Sequence, residues 1–338
     1  MLKKKRFLSM LVLLVAVVSG AWAQEPATYK ITLAEGTEDA ENWSVPAEAA
    51  AGSPVTATYS GAKKVKSVKA VKKGGAVDPK AVPLTIEAIT PGNVSVLNPK
   101  EGMQYSKNGG AKTAVTTDEI ALNAGDKVQF YGNGTTITSY GSSSTLYCTK
   151  ITGSGEGFTC KVYGNIMSLV DEEGFATATT LSDSYTFKYL FATNTTLTDA
   201  SGLLLPATQL AAYCYQQMFQ SCTALTAAPE LPATELASYC YNQMFRNCSA
   251  LTATPVLPAE KLVSNCYRQM FYGCSKLDTV TCLATSGINQ SGSTNNWLSG
   301  AGSQVDGTKT IYTVSSADWP EPNNAGIPTG WTRVNIDN

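Results

Sequence analysis

Three stretches of this chain repeat one phrase. Residues 213–222 read YCYQQMFQSC, residues 239–248 read YCYNQMFRNC, and residues 265–274 read NCYRQMFYGC. The period runs beyond the phrase. Phe191, Phe219, Phe245 and Phe271 are separated by 28, 26 and 26 residues, and Leu197, Leu225, Leu251 and Leu277 keep the same spacings. Leu-Pro pairs at 205–206, 231–232 and 257–258 recur every 26 residues. A unit of this length cannot bury its own apolar face and gains a core only by stacking on its neighbours. Residues 184–285 are therefore expected to form a short α/β solenoid of 26-residue, leucine-bearing repeats. Each unit reads as an extended leucine segment such as LTAAPELP, followed by a helical turn or two such as LASYCYNQMF.

The phrase holds six of the nine cysteines. Cys214, Met218 and Phe219 fall at i, i+4 and i+5, one face of a helical segment, and the next two repeats restate the pattern with Cys240 and Cys266. A small polarizable thiol suits such a buried slot. The second cysteines, Cys222, Cys248 and Cys274, sit at the turn into the leucine segment. In the earliest repeat Thr186 and Asn194 take the two slots. Asparagine there suggests a side chain bonded to turn backbone, repeated as a structural ladder. Disulfides within repeats are the alternative, and the joint loss of both cysteines in the first repeat suits them equally. Cys148 and Cys160 flank GSGEG and are candidates for a further disulfide across a hairpin. Zinc is not expected: the C-x7-C spacing is wrong and no histidine completes a site. No cofactor is implied.

The absence of histidine removes the Ser-His and Cys-His nucleophile pairs and the usual near-neutral base. No P-loop, G-x-S-x-G or G-x-G-x-x-G is present. The composition thus points away from an enzyme. Residues 1–23 carry Lys3, Lys4, Lys5 and Arg6, a short apolar run, and AWA before Gln24, the pattern of a secretory signal peptide. No later stretch is apolar enough for a membrane span. An exported protein, extracellular or at the cell surface, is expected. Removing the leader leaves 21 Lys and Arg against 26 Asp and Glu. That acidic balance argues against a nucleic-acid partner. The local run KKVKSVKAVKK is read as the solvated face of a strand, with a polyanion patch as the alternative.

Upstream of the repeats, residues 27–75 alternate as a small β module with Trp43 as its core aromatic, and 76–83 read as a linker. Short, evenly spaced strands predict an antiparallel β-sandwich over 84–183. The tail 286–338, with Trp297, Trp319 and Trp331, is expected to cap the open end of the repeats. Pro229 and Pro255 inside the leucine segments each remove a ladder donor, so the repeat sheet is expected to be narrow or interrupted.

A period in the twenties carrying MF-x-x-C-x-x-L…LP resembles the BspA-like leucine-rich-repeat surface proteins of Bacteroidetes. The phrases YSKNGGAKTAV, GDKVQFYGNG, VYGNIMSLV and NNWLSGAGSQ…GIPTGW add to the resemblance. It covers roughly residues 84–338. The resemblance implies a non-enzymatic adhesion or interaction protein whose partner is a host or bacterial surface protein or glycoprotein. Comparing the repeats nominates contact residues. Gln216, Asn242 and Arg268 differ at one equivalent position, and Tyr215, Tyr241 and Tyr267 stay constant at another. The tyrosines form either an exposed stripe for a partner or an inter-repeat packing column. The alternative function is carbohydrate capture by the middle β-sandwich.

Overall fold

A computed structural model describes residues 78–132, 141–288, 290–320 and 325–336, together with the backbone of six strands between residues 11 and 73. The chain divides into two compact units, Met1–Asp78 and Pro79–Asn338.

In the first unit the strands are β1 (Leu11–Val18), β2 (Thr28–Leu33), β3 (Trp43–Ser44), β4 (Glu48–Ala50), β5 (Thr58–Tyr59) and β6 (Ser67–Lys73). One sheet has the order β4-β2-β1-β6, and β3 pairs with β5. β1 lies within the stretch read as a leader, yet it pairs antiparallel with β2 and parallel with β6. The last seven residues of the lysine run form β6. The side chain of Trp43 lies outside the described residues.

The second unit begins with two sheets around one core. Its strands are β7 (Thr85–Ala88), β8 (Gly92–Leu97), β9 (Gln104–Lys107), β10 (Thr113–Ala114), β11 (Ile120–Leu122), β12 (Lys127–Tyr131), β13 (Lys150–Ser154), β14 (Cys160–Asn165) and β15 (Leu197–Leu204). One sheet runs β10-β9-β12-β7-β14-β15 and the other β11-β8-β13. Period-2 alternation sends Ile86, Val128, Phe130 and Val162 inward from the first sheet, and Val94, Val96 and Ile151 from the second. β15 is the leucine segment of the earliest repeat. It joins β14 in parallel, so the repeats grow directly from the edge of the larger sheet.

The repeats themselves overturn the expected α/β solenoid. No α-helix occurs among the described residues; the short 3-10 turns Pro79–Ala81, Thr145–Tyr147 and Ile166–Leu169 all precede the repeats. Nor do the leucine segments close a continuous sheet. Residues 225–232 and 251–258 contain no strand and touch their neighbours through isolated bridges such as Asp199↔Ala227 and Ala253↔Thr279. These are the segments carrying Pro229 and Pro255, which cannot donate to a ladder. Regular pairing resumes at β16 (Thr279–Cys282), which runs parallel to β17 (Lys309–Thr313) and β18 (Trp331–Asn335).

The physical reason the phrase is not helical lies in its backbone. Tyr213, Gln217 and Ser221 have φ near +60°, as do Tyr239, Gln243 and Asn247 in the next repeat. One residue in four is thus left-handed, which no right-handed helix admits. Each phrase is instead a run of turns. The N–H groups of Cys214, Gln216, Met218, Gln220 and Cys222 donate to the carbonyl three residues back, at 3.1–3.4 Å. The intervening N–H groups of Tyr213, Tyr215, Gln217, Phe219 and Ser221 donate to Ser238, Cys240, Asn242, Met244 and Arg246 of the next layer, at 2.7–3.1 Å. Every donor of the phrase is satisfied, half of them only because another layer is present. That coupling holds left-handed tyrosine and glutamine in place against a cost of about 1–2 kcal/mol per residue.

Residues 185–194 form the first such layer, with positive φ at Tyr185, Tyr189 and Thr193. Residues 292–301, expected as part of a cap, continue the same pattern. Their positive-φ positions are Gly292, Asn296 and Gly300, and Trp297 accepts the Phe271 N–H at 2.8 Å. The ladder therefore has five layers.

Candidate functional site

The turn geometry sorts the side chains in pairs. In residues 213–222, Cys214, Tyr215, Met218, Phe219 and Cys222 are buried, whereas Tyr213, Gln216, Gln217, Gln220 and Ser221 are half-buried. The buried pairs make vertical columns. Phe191, Phe219, Phe245 and Phe271 stack with ring centroids 5.4, 5.4 and 5.7 Å apart. Phe187, Tyr215, Tyr241 and Tyr267 stack at 5.8, 5.7 and 6.2 Å. Each such ring pair contributes about 0.5–1.5 kcal/mol beyond area burial. Tyr215, Tyr241 and Tyr267 are at most 2% exposed. They are core, and the alternative of an exposed stripe does not describe them.

The cysteines also belong to the interior. All nine are free and buried. Cys222, Cys248 and Cys274 donate S–H to the carbonyls of Phe191, Phe219 and Phe245 in the preceding layer, at 3.0, 3.1 and 3.0 Å. Asn194 holds the corresponding place in the first layer. Its amide donates to Ile151 O at 3.4 Å, and its oxygen accepts the N–H groups of Thr196 and Leu197, both at 3.1 Å. Cys214, Cys240 and Cys266 line the inner column beside the tyrosines. Burial pushes the Cys222 and Cys274 thiols up to about 12, and those of Cys240 and Cys248 well above the usual range.

Cys148 and Cys160 do not face each other across a hairpin. Cys148 follows the Thr145–Tyr147 turn and enters β13, whereas Cys160 opens β14 in the other sheet. Their sulfurs address different partners: Cys148 the Ser144 carbonyl at 3.6 Å, Cys160 the Thr196 hydroxyl at 3.7 Å. Among the described residues, no group of three or more His, Cys, Asp or Glu side chains is placed to hold a metal ion.

What remains outward is a layered polar and aromatic face. Tyr185, Tyr213 and Tyr239 stack at 4.6 Å from ring to ring. Burial and the two neighbouring phenols raise the Tyr213 hydroxyl above its ordinary range. Beside them run the glutamines. Gln217 donates to Gln220 at 2.8 Å and to Gln243 at 3.3 Å. Arg246 bridges Gln243 and Gln269 at 3.3 and 3.5 Å, and its guanidinium lies 4.9 Å over the Tyr272 ring. The nominated set Gln216, Asn242 and Arg268 borders this face but is partly consumed by it. Asn242 is 2% exposed, accepts from Gln216 at 2.9 Å and donates to Arg268 O at 3.2 Å. Gln216 and Arg268 stay half-buried. The Nε groups of Arg246 and Arg268 are buried without an acceptor.

Sequence comparison alone missed Tyr185, Tyr213 and Tyr239 as outward residues. Their signal was available: the column ends in Asn265 and Gly292, residue types at home at positive φ.

Among the described residues, the fold and this face define a nearly all-β architecture built on a ladder of left-handed turns. Comparison with family models, curated proteins and solved structures gave no match. Among the described residues, no helix is long and apolar enough to cross a membrane.

Proposed function

We propose that this chain is an exported, non-enzymatic interaction protein whose outward ladder face binds a surface protein or glycoprotein of a host or another bacterium. The reading follows the resemblance to BspA-like surface proteins, with a different architecture from the leucine-rich repeat that resemblance implies. The observation carrying it is the registered face itself. On successive backbone layers it presents three tyrosines stacked at 4.6 Å, the glutamine amides of Gln217, Gln243 and Gln269, and the side chains of Arg246 and Arg268. Arginine and tyrosine are enriched where partners bind most tightly. Arginine forks pair best with carboxylates, so the half-buried Arg246 and Arg268 favour an acidic partner.

The tyrosine rings lie against one another, so their flat faces are not free to stack on sugars. Carbohydrate binding by the two-sheet body rests instead on Tyr147, 74% exposed beside Leu146 at 76%. Binding of the full chain to arrays of matrix proteins and glycans tests the proposal. Protein hits are expected to weaken at least about tenfold in Arg246→Glu and Tyr239→Ala. Protein hits indifferent to both variants refute the face. Glycan hits lost only in Tyr147→Ala would move the function to the two-sheet body.

A further inference from the structure

The C-terminal sheet ends in an open edge. Its order is β16-β17-β18, so among the described residues β18 has a strand neighbour on one side only. The Ile336 N–H donates to Thr313 O at 2.8 Å. By the two-residue alternation of a strand, the N–H groups of Thr332 and Val334 also turn towards β17, and those of Arg333 and Asn335 turn away. Thr332–Asn335 are exposed, and the strand WTRVN carries neither proline nor a charge cluster to blunt the edge.

Beside this edge lies a cavity of about 360 Å³, within the size range of small ligand pockets. Its walls include Trp319, Ile327, Pro328, Thr329, Trp331 and Arg333. Two indoles stack at its inner end, Trp297 and Trp319, with centroids 5.3 Å apart. They differ in one respect. Trp297 Nε1 donates to Gly326 O at 2.8 Å, whereas Trp319, 7% exposed, has an Nε1 buried without an acceptor. Arg333 ties strand and cavity together. It donates from Nε to Thr313 Oγ1 at 2.8 Å and from Nη2 to Val314 O and Ala317 O at 3.2 and 2.9 Å.

We propose that β18 and the tryptophan cavity form a docking site for an extended segment of a partner protein, which adds as a fourth strand and seats one large apolar side chain in the cavity. The open edge supplies the backbone bonds of strand addition, and the cavity selects the side chain. A sugar suits the site less well, because Thr329 and Arg333 are the polar side chains in the wall and Arg333 is already engaged. This site is separate from the ladder face and does not depend on it.

The test is calorimetric titration of the full chain with short peptides of alternating threonine and valine. Their central residue is leucine, tryptophan or serine, and one set is N-methylated on alternate amides. Leucine or tryptophan peptides are expected to bind saturably, with serine or N-methylation weakening binding at least about tenfold. Thr329→Phe, which fills the cavity from an exposed wall position, and Asn335→Pro, which removes an outward donor, are each expected to weaken it similarly. Melting temperatures accompany both variants, and if Thr329→Phe lowers its own, Asn335→Pro decides. Absence of saturable peptide binding to the unmodified chain overturns the proposal, as does binding indifferent to N-methylation and to Asn335→Pro. Saccharide binding abolished by Thr329→Phe, without peptide binding, would also overturn it and assign the cavity to sugars.

Discussion

Replacing Ser221 by alanine and by glycine separates the turn ladder from a helix by the sign of one difference. Ser221 has φ +59°, is half-buried, and donates its N–H to Arg246 O at 2.7 Å. In the left-handed region a Cβ costs about 1–2 kcal/mol, which glycine escapes. Glycine gives back about 0.4–1 kcal/mol through the freer unfolded chain. Ser221→Gly should therefore be more stable than Ser221→Ala by about 1 kcal/mol. In a helix interior the order reverses, with alanine ahead by about 1 kcal/mol. The two accounts differ by about 2 kcal/mol, read as urea midpoints of the variants at equal m-values. With m of about 1–3 kcal/mol/M, glycine should lead alanine by roughly 0.3–1 M. Alanine equal to or ahead of glycine refutes the left-handed ladder.

The same ladder makes Gly273→Ala costly. Gly273 has φ +71°, and a Cβ there would lie 2.4 Å from Asn247 Oδ1, so a loss of about 2 kcal/mol is expected by denaturant titration. Ellman's reagent should find almost no reactive thiol in the native chain and nine after denaturation without reductant; a shortfall would reveal disulfides. Asp126 accepts from Asn123 N at 2.9 Å and Asn108 Nδ2 at 2.8 Å and pairs with Lys107 at 3.0 Å, which hold its carboxyl at about 2. Because the folded value is depressed, its contribution is present above about pH 4 and is lost as pH falls towards 2. Asp126→Asn should flatten the pH dependence of the melting temperature in that window, and an unchanged slope would contradict the assignment.

Much of the organisation was legible because it depends on spacing. The 26-residue period marked the stacked units, and short, evenly spaced strand segments marked the β-rich region upstream of them. The helical reading failed for an identifiable reason. Buried pairs recurring every four residues, Cys214–Tyr215 then Met218–Phe219, imitate the i, i+4 face of a helix with a 3.6-residue turn. The clue against it was the set of residues at the fourth position. Asn247, Asn265 and Gly273 stand where a helix would favour alanine or leucine, and Gly292, Asn296 and Gly300 repeat the pattern in the last layer. Tyrosine and glutamine at the other left-handed positions hid it, because those residues rarely adopt positive φ unless neighbouring layers compel them.

The site was less legible than the fold. A constant column signals packing as readily as binding, and the constant Tyr215, Tyr241 and Tyr267 are core. The constant glutamines Gln217, Gln243 and Gln269, by contrast, lie on the half-buried face. Which neighbour of a buried pair turns outward depends on turn type, and spacing does not encode that.

The central claim is that the repeated phrase is a ladder of left-handed turns, and its most direct measurement is the sign of φ at Gln217, Gln243 and Gln269. In the uniformly ¹⁵N-labelled chain, a positive φ brings each amide proton close to its own Hα and gives a strong intraresidue NOE. The account predicts that strong NOE at all three positions, whose φ values are +58°, +56° and +52°. Weak intraresidue NOEs, with sequential amide–amide NOEs running unbroken through residues 213–222, would show a helix and contradict it.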